Sequence, residues 1–150
     1  MRNGIRLAAL LVSGCLAGAS TRDRLMEALY DYNDAIRWGQ YRNATPYVPP
    51  EARAGLIVDG RARADVQIAD YELVQVDLAQ DKSTAQVLVD VSWMLRSEGL
   101  MRQSSFEQSW ERLDGRWSMV GEKRVSGPPM PRRRDPKVDV SAASGERSPP

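Results

Sequence analysis

The sequence predicts an α+β domain in which N-terminal helices pack on a curved, four-stranded antiparallel sheet. Apolar residues recur at helical spacing in the first part of the chain, over residues 21–38. From about residue 66 the apolar period changes to two, as in half-buried strands. Asp114-Gly115 is a strong hairpin signal between the last two of these strands. Helices followed by consecutive strands predict a helical layer on one face of a meander.

The composition limits the chemistry of the chain. Its 150 residues suit one domain, and a net charge of +1 gives no reason to expect a nucleic-acid partner. Histidine, the commonest general base and metal ligand, is absent from the sequence. The single cysteine excludes an intrachain disulfide and a cysteine-based zinc cluster. We therefore predict no catalytic residue, no metal site and no cofactor.

Residues 1–14 have the organisation of a secretory signal peptide. Arg2 and Arg6 supply a positive region, and the apolar run that follows, residues 7–12, is too short to span a bilayer. Cys15, the one cysteine, stands directly after this segment. An ordinary signal peptide, or a buried and inert cysteine, is the alternative interpretation.

The stretch VSGC, residues 12–15, resembles the bacterial lipobox, although leucine is commoner at the position of Val12. The resemblance implies cleavage before Cys15, lipid on its thiol and therefore the membrane as a partner. Residues 15–20 are then a lipidated tether. In enterobacterial lipoproteins an aspartate after the cysteine favours the inner membrane. Leu16 stands there in this chain, so the analogy implies an outer-membrane protein facing the periplasm.

The first helix begins after Ser20 or Thr21, either of which can cap it. Gly39 suits its C-terminal end. One stripe of this helix is apolar and predicted to face the core: Leu25, Ala28, Leu29, Tyr32 and Ile36. Trp38 lies off this stripe, and we expect it to pack under the following loop. The alternative is an exposed contact residue.

A second, shorter helix is predicted after the proline pair. Pro50 stands near the first helical position, where its fixed φ angle suits the helix. The helix is expected to continue to about Val58 and to be closed by Asp59-Gly60.

The first strand leaves the facing of two acidic residues open. Strict alternation places Asp70 and Glu72 on the core side, where neighbouring carboxylates can form an acid–base pair. A β-bulge would instead turn Tyr71 and Leu73 inward and leave both acids in solvent. Tyr71 and Leu73 are the better core residues, which favours the bulge.

The next strands alternate more regularly. The second strand has an apolar side: Ala85, Val87, Val89, Val91, Trp93 and Leu95. A two-residue turn at Glu98-Gly99 would place Val91 opposite Phe106 in the third strand. The Asp-Gly hairpin then sets Trp110 against Met119 in the fourth strand.

Polar residues share the inward side of the third strand with aromatic ones. Together with a tyrosine of the first helix they outline a candidate pocket for a small, unidentified ligand. Its residues are Tyr32, Arg102, Ser104, Phe106, Gln108 and Trp110. The alternative is a filled core in which the polar groups have hydrogen-bond partners.

The C-terminal segment differs in composition from the rest. Six of the nine prolines follow Ser126, together with serine, glycine and arginine, and such a segment cannot form a packed core. We predict a disordered tail over residues 126–150 and a folded domain over residues 21–125.

Four short strings occur in an order that resembles the nuclear transport factor 2-like (NTF2-like) cone, and the likeness extends over residues 21–124. They are RWGQY, VPPEAR, IADYELVQV and the final W…DGRW hairpin. The fold is shared with ketosteroid isomerases, scytalone dehydratases and SnoaL-type cyclases, and the strings are most similar to lipoproteins of this superfamily. The catalytic Asp, Tyr or His residues of the enzymes match no position here, so the resemblance implies no activity.

These features together predict a noncatalytic, lipid-anchored envelope lipoprotein. Its periplasmic domain would act as an interaction or assembly module with an envelope protein as partner. The first alternative is a carrier or sensor of a small apolar ligand in the cone. The second is an enzyme similar to the isomerases or dehydratases.

Overall fold

The structure, a computed structural model, describes residues 19–131. Its helical segments are α1 (Thr21–Arg37), α2 (Tyr41–Ala44), the 3₁₀ turns Thr45–Tyr47 and Pro50–Ala52, and α3 (Arg53–Ala62). Its strands are β1 (Val66–Leu78), β2 (Thr84–Leu95), β3 (Arg102–Leu113) and β4 (Arg116–Ser126). The strands form one antiparallel sheet in the order β1-β2-β3-β4, which confirms the predicted fold class. The signal peptide and Cys15 lie outside the described residues.

Helix α1 begins with a capping box. Asp23 donates its backbone N–H to Ser20 Oγ at 3.1 Å, and its carboxylate accepts the backbone N–H of Ser20 at 2.9 Å. The whole predicted apolar stripe is buried. Gly39 follows the helix with a φ of +68°. Trp38 is 67% exposed, so the expectation that it packs under the following loop is wrong and the exposed alternative is correct.

Helix α3 is longer than predicted. Pro50 opens a 3₁₀ turn, and α3 then continues past Asp59-Gly60 to Ala62. A Cβ at Gly60 would lie 2.3 Å from Cδ2 of Tyr41. Gly60 therefore permits close packing inside the helix, and the prediction that it closes the helix is wrong.

Strand β1 is bulged. Its pairing with β2 shifts register between Ile68 and Asp70 and again after Leu73. The first shift turns Tyr71 and Leu73 toward the core and leaves Asp70 and Glu72 exposed. The core-facing acid pair is therefore wrong, because the bulge reverses the facing that strict alternation assigns to both carboxylates.

The pairing of β2 with β3 differs from the prediction by two residues. Val89, rather than Val91, lies opposite Phe106. The connection is a six-residue loop instead of a two-residue turn at Glu98-Gly99. Because the difference is an even number, each side chain keeps its predicted face.

The hairpin between β3 and β4 has the predicted geometry. Asp114 and Gly115 have φ angles of +49° and +78°, and a type I′ turn requires positive φ at both positions. Trp110 lies opposite Met119, as predicted. The core fills the space between this inner face of the sheet and α1.

Packed chain continues beyond the predicted boundary at residue 126. Met130 is 3% exposed and belongs to the core. The Ser104 hydroxyl donates to the carbonyl oxygen of Pro128 at 2.7 Å. The predicted tail covered residues 126–150, and its first part, up to Met130, belongs to the domain. The chain after residue 131 lies outside the described residues. Within residues 19–131, no helix has the length and apolar character needed to cross a membrane.

Candidate functional site

The aromatic residues predicted to line a pocket form the core instead. Phe106 and Trp110 are fully buried. The ring of Tyr32 meets that of Trp110 edge-on, with centroids 5.6 Å apart. Of these three residues, Tyr32 alone also lines the cavity described below. The predicted pocket at Phe106 and Trp110 is therefore filled.

Arg102 and Ser104 surround the indole of Trp93. The guanidinium of Arg102 lies over this ring at 5.4 Å from its centroid and forms an ion pair with Glu98. Ser104 is buried, and its hydroxyl accepts a hydrogen bond from Trp93 Nε1 at 3.1 Å. Neither residue lines the cavity described below, so the predicted pocket does not form at these two positions.

Gln108 is the centre of a buried polar network. Its Nε2 donates to Asn33 Oδ1 at 2.9 Å and to Glu122 Oε2 at 3.0 Å. Its Oε1 accepts from Trp110 Nε1 at 3.2 Å. For Gln108 the filled-core alternative is correct, because both ends of its amide have partners.

A cavity of about 410 Å³ lies between α1, the segment around Val48, α3 and β4. Part of its wall is apolar: Val48, Ala52, Leu56, Met119 and Val120. The remaining side chains are polar or charged: Tyr32, Asp59, Arg63 and Glu122. Because Glu122 also accepts from Gln108, the cavity is connected to the buried network.

Two carboxylates and one guanidinium give the cavity its charge. Asp59 and Arg63 come from α3 and the residue that follows it, and Glu122 comes from β4. Arg63 is buried, with its guanidinium 5.7 Å from the ring centroid of Tyr41. The arrangement can bind a small molecule that combines an apolar body with hydrogen-bonding groups.

The sequence did not point to this cavity or to the polar network beside it. Arg63 lies beyond the predicted end of the second helix, so it was not placed beside the cone. Glu122 pairs with Gln108 because the register shifts by one residue between Ser109 and Trp110, whereas the hairpin register alone pairs Gln108 with Gly121. Asn33 lies next to Tyr32 on α1, but a polar residue beside an apolar stripe gives no signal by itself.

Metal binding has no support from the described part of the chain. Between residues 19 and 131, no group of three or more His, Cys, Asp or Glu side chains is placed to hold a metal ion. Asp70 instead pairs with Arg37 at 2.9 Å on the surface.

Comparison with known proteins shows similarity in structure. No protein-family profile matches the chain, and no curated protein sequence matches it. An NTF2-like protein from Cytophaga hutchinsonii is 12% identical with a TM-score of 0.57, over 72% of this chain and 99% of that one. A domain of unknown function with a cystatin-like fold from Nostoc punctiforme is 14% identical with a TM-score of 0.57, over 83% and 88%.

A putative polyketide cyclase from Xanthomonas campestris is also similar. It is 15% identical with a TM-score of 0.51, and the match covers 68% of this chain and 93% of that chain. Identities this low show a shared fold and leave the activity open. The chain has the NTF2-like, cystatin-like cone fold.

Proposed function

We propose that the chain is a noncatalytic ligand-binding domain that is anchored to the bacterial envelope by lipid on Cys15. The cavity between α3 and β4 carries the proposal. Its volume of about 410 Å³ is within the range of roughly 300–1,000 Å³ that is typical of ligand pockets. The same walls combine apolar and charged groups, which suits a small molecule with an apolar body and a polar end.

Each side of the cavity has a distinct part in binding. Val48, Leu56 and Met119 would cover the apolar body of the ligand. Glu122 would accept a hydrogen bond from its polar end, because the Gln108 amide holds one oxygen of that carboxylate in position. Arg63 would donate to an acceptor on the same ligand.

Two observations support binding without catalysis. The sequence has no histidine to act as a general base near neutral pH. Asp70 and Glu72, the two β1 acids considered as an acid–base pair, are exposed on the opposite side of the strand from the core. Asp59 and Glu122, the acids that line the cavity, can accept hydrogen bonds from a ligand.

Filling the cavity should weaken ligand binding. In Leu56→Trp the larger side chain occupies the ligand space, and we expect the affinity for N-phenyl-1-naphthylamine, a neutral apolar fluorescent probe, to fall by roughly tenfold or more. Val58→Trp is the matched control, because Val58 is on the same helix but is 63% exposed. Isothermal titration calorimetry measures the affinity of each variant for the probe.

The control variant should bind the probe like the unmodified protein. Equal binding by all three proteins, or no binding by any of them, would contradict the proposal. Melting temperatures measured on the same samples identify a variant that has lost its fold.

An interaction or assembly module with an envelope protein as partner is the second candidate. Two adjacent apolar residues in the loop between β2 and β3, Leu100 and Met101, are exposed. Exposed apolar surface of this kind occurs at protein interaction sites. A module of this type needs no ligand in the cavity, so failure of the titration would favour it.

The lipid anchor has its own prediction. Cys15→Ala removes the thiol that would be acylated, so the precursor should stay unlipidated and uncleaved by the lipoprotein peptidase. Labelling cells with a radioactive fatty acid measures the modification, and Cys15→Ser serves as a second variant that also cannot form the thioether. Undiminished label in either variant would exclude the lipobox interpretation.

A further inference from the structure

Trp38 is an exposed residue that does not line the cavity. The chain has four tryptophans, and Trp38 is exposed while the other three are buried in the core: Trp93, Trp110 and Trp117. A large aromatic ring that remains exposed to solvent contributes little to the stability of the fold, because its apolar surface is not buried. Such a ring is typical of a contact surface.

The exposed indole is held in place from one side. The guanidinium carbon of Arg37 lies 5.1 Å from the Trp38 ring centroid. Arg37 in turn donates to the carbonyl oxygen of Ala69 at 2.6 Å and pairs with Asp70 at 2.9 Å. The contact with Arg37 restricts the ring from one side before any ligand binds, which lowers the entropic cost of binding.

Trp38 also borders a groove of about 290 Å³ that Arg37 does not line. The groove has two aromatic residues and four small or planar polar ones, with one alanine. Its residues are Asp31, Asp34, Ala35, Trp38, Gln40, Asn43 and Tyr47. None of them lines the cavity between α3 and β4, so the two sites are separate.

The polar side chains of the groove are oriented by their neighbours. Tyr47 donates its hydroxyl to Asp31 Oδ2 at 2.5 Å, and Asn43 Nδ2 donates to Gln40 Oε1 at 2.9 Å. Asp34 Oδ1 accepts the hydroxyl of Tyr71 at 3.0 Å. Burial, followed by the bond to Asp31, raises the pKa of Tyr47 to about 12, so the phenol stays a donor at neutral pH.

We propose that this groove binds an uncharged pyranose sugar, with Trp38 as the stacking platform. The C–H groups of one pyranose face carry partial positive charge and suit the negative face of an indole. The hydroxyls and any N-acetyl group of the sugar match the acceptors and donors of Asp34, Gln40 and Asn43. Asp31 and Asp34 make the groove negative, which disfavours carboxylated or phosphorylated sugars.

A protein partner fits the groove less well. Protein interfaces have an apolar centre, while the one aliphatic residue in this lining is Ala35. Directional hydrogen-bonding groups beside the exposed ring of Trp38 are the arrangement that a sugar requires. The proposal does not depend on ligand binding in the cavity.

Acrylamide quenching of tryptophan fluorescence tests the proposal on the full chain. Acrylamide is neutral and reaches exposed rings most readily, so quenching mainly reports Trp38 while the three buried tryptophans contribute little. Chitotriose and maltotriose are the neutral probes, which separate N-acetylated from plain hexoses, and an oligogalacturonate is the anionic control. We expect at least one neutral trisaccharide to protect Trp38 in a saturable manner and the oligogalacturonate to have no effect.

Variants locate the binding by calorimetry. Trp38→Ala should weaken the sugar affinity by roughly tenfold or more, while Trp38→Phe keeps part of it. Tyr30→Ala is the matched control, because Tyr30 is an exposed aromatic residue on α1 and is absent from the groove lining. The proposal would be overturned if neither neutral sugar protects Trp38 from the quencher, or if Trp38→Ala binds the sugar as tightly as the unmodified protein. Protection of Trp38 only by a protein from envelope extracts would also overturn it.

Discussion

Trp110→Ala is expected to destabilise the domain by about 3–5 kcal/mol, because it removes a large ring from a closed site. Trp110 is fully buried, between Ala85 on β2 and Met119 on β4, with the edge of Tyr32 against its ring. The change also removes one of the two donors to Gln108 Oε1, the other being Asn33 Nδ2 at 3.4 Å. Domains of this size have a total stability of about 5–15 kcal/mol, so the variant should be poorly folded.

Urea unfolding of a soluble form that begins at residue 16 measures the loss. Trp38→Ala is the control, because the same substitution at a ring that is mostly exposed should cost less than about 1 kcal/mol. Equal losses at Trp110 and Trp38, or a larger loss at Trp38, would contradict the described core.

Deletion of residues 128–150 is expected to cost about 2–5 kcal/mol, the range for truncating a buried methionine to alanine. The deletion removes Met130 from the core and takes the Pro128 carbonyl from the Ser104 hydroxyl. The Ser104 hydroxyl also accepts a hydrogen bond from Trp93 Nε1, so loss of the Pro128 carbonyl affects hydrogen bonding at a core tryptophan. The composition of this segment alone predicted no cost.

A shorter deletion separates the packed residues from the rest of the segment. Removal of residues 132–150 leaves Met130 in place, and we expect the melting temperature to change little. Met130→Ala in the full chain should reproduce most of the loss caused by the longer deletion. If both deletions leave the melting temperature unchanged, Met130 does not pack as described.

Much of the fold could be predicted from periodicity. The apolar stripe of α1 and the alternation of β2 are each set by local sequence, and burial follows directly from them. The hairpin at Asp114-Gly115 was equally clear, because two consecutive positive φ angles demand such residues.

The missed features depend on contacts between distant segments. Glycine is typical of a helix end, yet Gly60 lies inside α3. Its lack of a side chain leaves room for the Tyr41 ring, a contact that the local sequence does not show. Met130 stands in a proline-rich segment, and only its contact with the core shows that it is packed. The connection between the last paired residues of β2 and β3, Trp93 and Arg102, is centred one residue earlier than a turn at Glu98-Gly99, which shifts the pairing by two residues.

The candidate site was less predictable than the fold for the same reason. The residues chosen from the inward face of β3 are core residues, because the centre of the cone is filled by Phe106 and Trp110. The open space is instead at the side, where α3 meets β4. Its position depends on the length of α3, which the sequence alone underestimated.

The most direct test of the central claim, that the cavity between α3 and β4 binds a small ligand, is an NMR titration of the ¹⁵N-labelled protein with N-phenyl-1-naphthylamine. We predict saturable shifts of the backbone amides of Leu56, Met119 and Glu122, with those of Leu100 and Met101 unchanged. Shifts confined to the loop that contains Leu100 and Met101, or no saturable shifts at all, would contradict the claim.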